Sequence, residues 1–291
     1  MIPWVGIVLR KSQEEDVSKT NYAELTETAR RVRIDALKAI AAAGSGHPGG
    51  SLSAADIITT LYFNVMNIDP RDPQMEDRDK FVLSKGHAVP ALYAALGERG
   101  FFPVEDMMTL RKIDSPFQGH PNMRKVPGIE MSTGSLGQGF AAAVGMATAN
   151  KIDGKDGRVF VLTGDGELQE GIIWEAAMSA AHRKLDNLTA VVDLNGLQID
   201  GRVDDVMKVR PVEGKFRRFG WNTLSVDGHS FPELIEAFES ARHTKGVPTV
   251  IIANTVKGKG VSFMEDQAGW HGKAPDQEQL AQAISELGGD N

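Results

Sequence analysis

The residues best suited to chemistry follow two apolar segments in the middle of the chain. A Gly-Asp-Gly triplet at 164–166 comes directly after the segment 158–163, and Asn195 comes directly after the segment 188–194. Both segments are short, apolar and rich in β-branched residues, which predicts buried strands. If the strands are parallel neighbours, their carboxyl ends meet at one edge of a sheet, where ligands of α/β proteins bind.

These residues predict a clamp for a magnesium-bound diphosphate. The carboxylate of Asp165 and the amide oxygen of Asn195 are the kind of oxygen ligands that Mg²⁺ prefers. Gly166 has no side chain, so a phosphate can approach its backbone, and a helix expected over 168–184 would present N–H groups to the anion. Gly-Asp-Gly alone is also typical of a plain turn, so the prediction depends on Asn195 and its strand.

Three histidines share a sequence setting that favours a functional role. His47 and His120 each stand in Gly-His-Pro, and His87 stands in Gly-His-Ala, all in loops before helices or at strand ends. Imidazole can donate to or accept from sugar hydroxyls, and it exchanges a proton near neutral pH. The histidines without this setting are interpreted as ordinary surface or packing residues: His182, His229 and His243.

Alternating strands and helices must position these residues. Short apolar segments predict strands at 80–84, 158–163, 188–194, 221–226 and 248–255. Helical spacing of apolar residues predicts helices at 22–43, at 53–64 with Ser53 as the N-cap, and at 88–98, 136–152, 168–184, 231–245 and 276–287. This alternation is typical of right-handed βαβ units, so we expect an α/β fold with a parallel sheet covered by helices on both faces.

The composition excludes several classes of protein. With 32 basic and 39 acidic residues the net charge is −7, which argues against a nucleic-acid partner. The absence of cysteine excludes disulfides, thiolate metal sites and thiol nucleophiles. No apolar run approaches the length of a membrane span, so the expected location is the cytoplasm. We expect residues 1–20 to form a loose arm and 21–291 to form a single domain.

Six segments, in order, resemble those of transketolases. The resemblance covers nearly the whole chain and is to the N-terminal, thiamine diphosphate-binding part of that family. The segments are GSGHPGGSLS at 44–53, LSKGHAVPALYAAL at 83–96, GHPNMRKVPGIEMSTGSLGQGFAAAVGMA at 119–147, GDGELQEG at 164–171, DLNGLQIDG at 193–201 and KGKGVSFMEDQAGWHG at 257–272.

The resemblance implies a role for each matching residue at the diphosphate end of the cofactor. It implies that Mg²⁺ is bound by Asp165, Asn195 and the backbone carbonyl of Leu197. It also implies that His87 and Gly166 contact the diphosphate.

The resemblance likewise implies how the rings of the cofactor and the sugar are held. Gly134 and Leu136 would lie against the aminopyrimidine and thiazolium rings. Glu170 would belong to an acidic network that joins two active sites of a dimer, although its place in the first turn of a helix would also favour the helix dipole. The residues implied to face the sugar substrate are His47, His120 and His271, of which His271 would also reach the diphosphate.

A full transketolase is more than twice as long as this chain, and its second domain supplies the glutamate that activates the aminopyrimidine. We therefore expect the N-terminal subunit of a split transketolase, which moves a two-carbon ketol unit from a ketose phosphate to an aldose phosphate. It would need a separate C-terminal subunit, in an α₂β₂ assembly. Alternatives are a subunit of another thiamine diphosphate enzyme (2-oxo acid dehydrogenase or 1-deoxy sugar synthase type) and a non-catalytic Mg²⁺–nucleotide-binding protein.

Overall fold

A five-stranded parallel sheet forms the centre of the computed structural model, which describes residues 20–289. The expected arm at 1–20 lies outside the described residues except for Thr20. The strands of the sheet are β1 Lys80–Leu83, β2 Val159–Gly164, β3 Leu188–Leu194, β6 Asn222–Asp227 and β7 Thr249–Asn254, and β4 Leu197–Gln198 and β5 Gly201–Arg202 form a small antiparallel pair. The sheet order is β1-β2-β3-β7-β6, and every neighbouring pair is parallel.

Nine α-helices surround the sheet within residues 20–289. They are α1 Tyr22–Ala43, α2 Pro48–Thr60, α3 Val89–Arg99, α4 Gln138–Ile152, α5 Gly171–His182, α6 Val203–Val206, α7 Val212–Arg218, α8 Phe231–His243 and α9 Gln277–Glu286. A π-helical turn at Leu61–Val65 extends α2. None of the helices in this part of the chain is long and apolar enough to cross a membrane.

The two faces of the sheet carry two separate apolar layers. Phe160 and Leu162 of β2 pack on one face with residues of α1, α2, α3 and α8. Val159 and Val161 point to the opposite face and pack with residues of α4, α5 and α7. Successive side chains of a strand alternate between faces, so an apolar run is what a strand buried on both sides requires. The expected α/β fold, with helices on both faces of a parallel sheet, is confirmed.

Two expected helix boundaries are wrong. The second helix starts at Pro48 rather than at Ser53, which is buried inside it. Proline suits the first turn of a helix because its φ is preset and its missing N–H is not needed there. The helix expected over 168–184 is interrupted, because a 3₁₀ turn at Gly166–Gln169 precedes α5.

His229 is a half-buried structural residue. Its Nδ1 lies 2.7 Å from Asp56 Oδ2, and its Nε2 accepts a hydrogen bond of 2.9 Å from the backbone N–H of Val256. Because Nε2 accepts, the proton is on Nδ1 and is donated to Asp56. Arg33 of α1 donates to both oxygens of the same carboxylate, at 2.9 and 2.6 Å. This chain of contacts joins α1 and α2 to the loop that follows β7.

A partly buried carboxyl group, that of Asp35 on α1, lies close to Glu98 at the end of α3. Burial first, and then the negative charge of Glu98, raise the pKa of Asp35 from 3.8 to about 6. The unfolded chain ionises this group near pH 3.8, so ionisation destabilises the folded state. That cost is fully present above pH 6 and is absent below about pH 4.

We therefore expect Asp35→Asn to raise the free energy of unfolding at pH 7.5 by about 1 kcal/mol, a value reduced for solvent screening of a partly exposed group. Urea denaturation of both proteins between pH 4.5 and 8 measures the difference, which should shrink as the pH falls through 6. Asp156→Asn, at an exposed aspartate, is the matched control. If the gain in the free energy of unfolding stayed constant over this pH range, it would not arise from the ionisation of Asp35.

Candidate functional site

The carboxyl ends of β1, β2, β3 and β7 open into one cleft of about 330 Å³. Segments distant in sequence reach it because a parallel sheet brings all its strand ends to the same edge. Ten of the eleven residues singled out from the sequence line this cleft: His47, His87, Gly134, Leu136, Asp165, Gly166, Glu170, Asn195, Leu197 and His271. His120 is the exception.

The carboxylate of Asp165 is held by the turns that follow β2 and β3. Its Oδ1 accepts a hydrogen bond of 2.8 Å from the N–H of Gly166, and its Oδ2 accepts one of 2.5 Å from the N–H of Gly196. Burial first, and then the charge of Asp193, raise its pKa from 3.8 to about 6. A positive charge bound close to Asp165, such as that of a metal cation, would favour the ionised form of this carboxyl group.

Three residues that line the cleft carry oxygen donors of different chemistry. They are the carboxylate of Asp165, the amide oxygen of Asn195, which accepts from the N–H of Leu197 at 3.1 Å, and the carbonyl of Leu197. Lys257 Nζ donates to that carbonyl at 3.0 Å. Residues 20–289 contain no group of three or more His, Asp or Glu side chains placed to hold a metal. A divalent ion here would therefore complete its coordination with oxygens of the molecule that it accompanies.

Three imidazoles form a triangle in the cleft. The ring centroids of His47, His87 and His271 lie between 5.1 and 5.4 Å apart. Burial is the main cause that lowers the pKa of His47 to about 4 and that of His271 to about 3, and it also lowers the pKa of His87. All three rings are therefore neutral at pH 7. Nδ1 of His47 is buried without a hydrogen-bond partner among the described residues, so it is available to a bound molecule.

His120 and Glu170 lie at the border of the cleft, and both are exposed. His120 is beside the lining residue Gly134, where a Cβ would lie 3.1 Å from His120 Cδ2. A larger residue at 134 would therefore press on this ring. Glu170 is the N-cap of α5, but its side chain does not cap the helix.

A buried ion pair beneath the cleft was missed in the sequence. Lys85 Nζ contacts Asp193 Oδ2, and the two side chains are 2% and 0% exposed. Lys85 also donates to the carbonyl of Gly50 at 2.9 Å, while Ser53 donates to Asp193 at 2.6 Å. Burial by itself would raise the pKa of Asp193, but the charge of Lys85 holds it below the ordinary value. Their positions in the sequence could have indicated the pair, because Lys85 follows the end of β1 and Asp193 is close to the end of β3.

Lys257 was also missed, and it is the second cation of the cleft. Its Nζ lies 2.9 Å from Nδ1 of His271, in addition to its contact with Leu197. Burial, followed by the charge of Lys85, lowers its pKa from 10.5 to about 8. The cleft therefore places the buried cation of Lys257 next to neutral imidazoles, which suits an anionic ligand, whereas the charge of Lys85 is balanced by Asp193.

Glu167 ties together three of the loops around the cleft. Its Oε1 accepts from Ser84 Oγ at 2.5 Å and from the N–H of Gly137 at 2.7 Å, and its Oε2 accepts from the N–H of Gly164 at 3.1 Å. Burial raises the pKa of Glu167 in spite of these hydrogen bonds. The carboxylate fixes the start of α4 relative to the ends of β1 and β2.

This architecture, with its cleft at the carboxyl edge of a parallel sheet, is that of the thiamine diphosphate-binding α/β domains. The transketolase from Campylobacter jejuni is similar in structure, with a TM-score of 0.87 and 35% sequence identity. The match covers 93% of this chain and 44% of that one, so this chain spans less than half of that transketolase. The family profile described as "Transketolase, thiamine diphosphate binding domain" matches residues 25–291. The chain belongs to this family.

Two relatives match over almost their whole length. The chain is 46% identical over 264 residues to the 6-deoxy-6-sulfo-D-fructose transketolase subunit SqwG of Clostridium sp. (strain MSTE9). This alignment covers 91% of this chain and 96% of the relative. It is 43% identical over 264 residues to an apulose-4-phosphate transketolase subunit of Phocaeicola vulgatus, with 91% and 93% covered. Both relatives are named as subunits.

The ion pair beneath the cleft gives a prediction about stability. Lys85→Met should lower the free energy of unfolding by about 3–5 kcal/mol, because it leaves the Asp193 carboxylate buried without its cation. Asp193→Asn should also lower the free energy of unfolding, because it leaves the Lys85 ammonium buried without its anion. The double variant Lys85→Met/Asp193→Asn should lose less than the sum of the two single losses, since no buried charge remains. Urea denaturation of the wild type, the two single variants and the double variant completes the cycle. Losses that simply add would show that the two side chains are not coupled.

Proposed function

We propose that this chain is the N-terminal subunit of a two-chain transketolase. It would transfer a two-carbon ketol unit from a ketose phosphate to an aldose phosphate, with thiamine diphosphate and Mg²⁺ as cofactors. The observation that carries the proposal is the meeting of Asp165, Asn195 and the three imidazoles in one cleft. The two relatives named as transketolase subunits support it, because they match this chain over more than nine-tenths of their own length.

The donor set fits a Mg²⁺-bound diphosphate. The Asp165 carboxylate, the Asn195 amide oxygen and the Leu197 carbonyl would hold Mg²⁺. The Leu197 carbonyl has a second lone pair besides the one that accepts from Lys257. Gly166 and His87 would contact the diphosphate, and Gly134 and Leu136 would lie against the rings of the cofactor. The buried, unpartnered Nδ1 of His47 also supports a polar ligand at this place.

The proposed chemistry divides between cofactor and protein. Thiamine diphosphate, when bound, supplies the nucleophilic carbon and the electron sink for cleavage of the carbon–carbon bond. His47, His120 and His271 would orient the sugar through its hydroxyl groups. Because the pKa of each is lowered, their rings are uncharged at neutral pH and can accept hydrogen bonds from the hydroxyl groups of the sugar.

The proposed partner is a separate subunit that provides the pyrimidine-binding half of the site, in an α₂β₂ assembly. Glu170, exposed at the border of the cleft, would belong to the acidic network between two such sites. We propose that the reaction takes place in the cytoplasm, where the charges of sugar-phosphate substrates would retain them behind the membrane.

Reconstitution tests this proposal. The purified chain is assayed for ketol transfer alone and after co-expression with a transketolase subunit that carries the pyrimidine-binding domain, with ketose phosphates or pyruvate as donor. We expect transfer from a ketose phosphate only in the two-subunit preparation. Robust transfer by the isolated chain would refute the need for a partner, and turnover of pyruvate alone would refute the substrate class.

Two substitutions separate cofactor binding from turnover in the assembled enzyme. Asp165→Asn should weaken Mg²⁺-dependent binding of thiamine diphosphate by at least tenfold, because it removes the anionic ligand. His120→Ala should leave this affinity unchanged and lower kcat by about 100-fold, a typical contribution of an acid–base group. Calorimetry with thiamine diphosphate and steady-state kinetics measure the two effects. Equal loss of cofactor affinity in both variants would show that His120 does not act on the sugar.

A further inference from the structure

Arg111 is an exposed cation that the proposed chemistry does not use, and its guanidinium lies against Gly119. A Cβ built on Gly119 would lie 2.5 Å from Arg111 Nη2 and 2.7 Å from Nε. Only a residue without a side chain allows this approach. Gly119 immediately precedes His120, so the guanidinium is held next to one of the histidines proposed to face the sugar.

The loop around Arg111 is fixed rather than free. Arg111 itself has a left-handed backbone, with φ of 59°, and its N–H donates to the carbonyl of Phe117 at 2.8 Å. The ring of Phe117 is buried and packs edge-on against Tyr93, with 5.2 Å between centroids. The hydroxyl of Tyr93 is within 3.2 Å of the carbonyls of both Gln118 and His120. The same aromatic pair therefore positions the base of Arg111 and the segment against which its guanidinium lies.

The charge of Arg111 acts on the cleft, and within the described part of the chain it is not balanced by a counter-ion. Among residues 20–289 no carboxylate pairs with its guanidinium, and no hydrogen bond uses its side-chain N–H groups. After burial, Arg111 is the next cause of the lowered pKa of both His47 and His120. The guanidinium is thus close to two residues proposed to face the sugar, with its donors available.

We propose that Arg111 binds the tetrahedral oxyanion, phosphate or sulfonate, that the sugar substrate carries, so that this subunit itself contributes to substrate specificity. The inference rests on the proposed function, since it adds an anion contact to the same site. The planar fork of a guanidinium matches two oxygens of such a group and makes short, charge-assisted hydrogen bonds with them. An ammonium group would supply the charge without the paired geometry.

Kinetics of the two-subunit enzyme form the first arm of the test. With a fixed donor, an aldose phosphate, the corresponding ω-sulfonate and the unsubstituted aldose are compared as acceptors. Arg111→Gln should raise KM for an acceptor with the recognised anion at least tenfold and leave kcat/KM for the unsubstituted aldose within about twofold. Arg111→Lys should recover only part of the loss. Arg124→Gln, at an exposed arginine outside the cleft, is the matched control and should change nothing.

A second variant moves the guanidinium without removing its charge. Gly119→Ala places a methyl group where the end of the Arg111 side chain lies, and this flexible end can shift without unfolding the protein. We expect KM for the anionic acceptor to rise as it does in Arg111→Gln. If Gly119→Ala and Arg111→Gln both leave KM unchanged for every acceptor, the inference is wrong.

Anion binding to the full chain without its partner tests the inference independently of the proposed function, because it requires no enzyme activity. Inorganic phosphate and methanesulfonate are titrated in turn while the ring signals of His120 are followed by NMR. We expect both anions to shift the His120 ring signals in the wild type, and the anion with the larger shift is the preferred one. We expect no shift in Arg111→Gln. Absence of shifts with both anions overturns the inference even if the two-subunit enzyme is an active transketolase. If Arg111→Gln weakens the association of the two subunits while the assembled variant keeps the wild-type KM, the guanidinium pairs with a partner carboxylate instead and the inference is wrong.

Discussion

The ion pair between Lys85 and Asp193 is the interaction on which the cleft depends. It joins the ends of β1 and β3, and Ser53 from α2 and Thr255 from the end of β7 donate to the same carboxylate. Either charge alone would be very costly at such depth, so the four elements are stable together only when both partners are in place. The pair also adds to the effect of burial on the groups above it, because Asp193 further raises the pKa of Asp165 and Lys85 further lowers that of Lys257.

Charge and hydrogen-bond acceptance belong to different side chains in this cleft. Lys257 provides positive charge for an anion, whereas the charge of Lys85 is balanced by Asp193. The imidazoles are kept neutral by burial and by the charges of the two lysines. A protonated histidine would lack the free nitrogen that accepts a hydrogen bond from a hydroxyl group, so the same lysine that would attract a diphosphate helps to keep that nitrogen available.

The sequence contains most of the fold and much of the candidate site. Apolar periodicity predicts all five strands of the sheet and their alternation with helices, and the residues just beyond strand ends include Asp165 and Asn195. It does not reveal partnerships such as that of Lys85 with Asp193, which are 108 residues apart, because pairing depends on the order of the strands. In the sequence Glu167 resembles any acidic residue at a helix start, and only the structure shows that its buried carboxylate accepts hydrogen bonds from three different segments. The start of α2 was misjudged because a proline and two glycines normally indicate a loop.

The strand order also constrains when the site can exist. β3 lies between β2 and β7, so one row of its backbone N–H and C=O groups finds a partner only after the last strand has been synthesised. Lys257 and His271 leave the ribosome later still. A nascent chain that already contains Asp165 and Asn195 therefore has an open sheet edge and an incomplete cleft. A ligand that needs the whole cleft can bind only the finished domain, and until β7 pairs with β3 the edge of β3 is open to association with other chains.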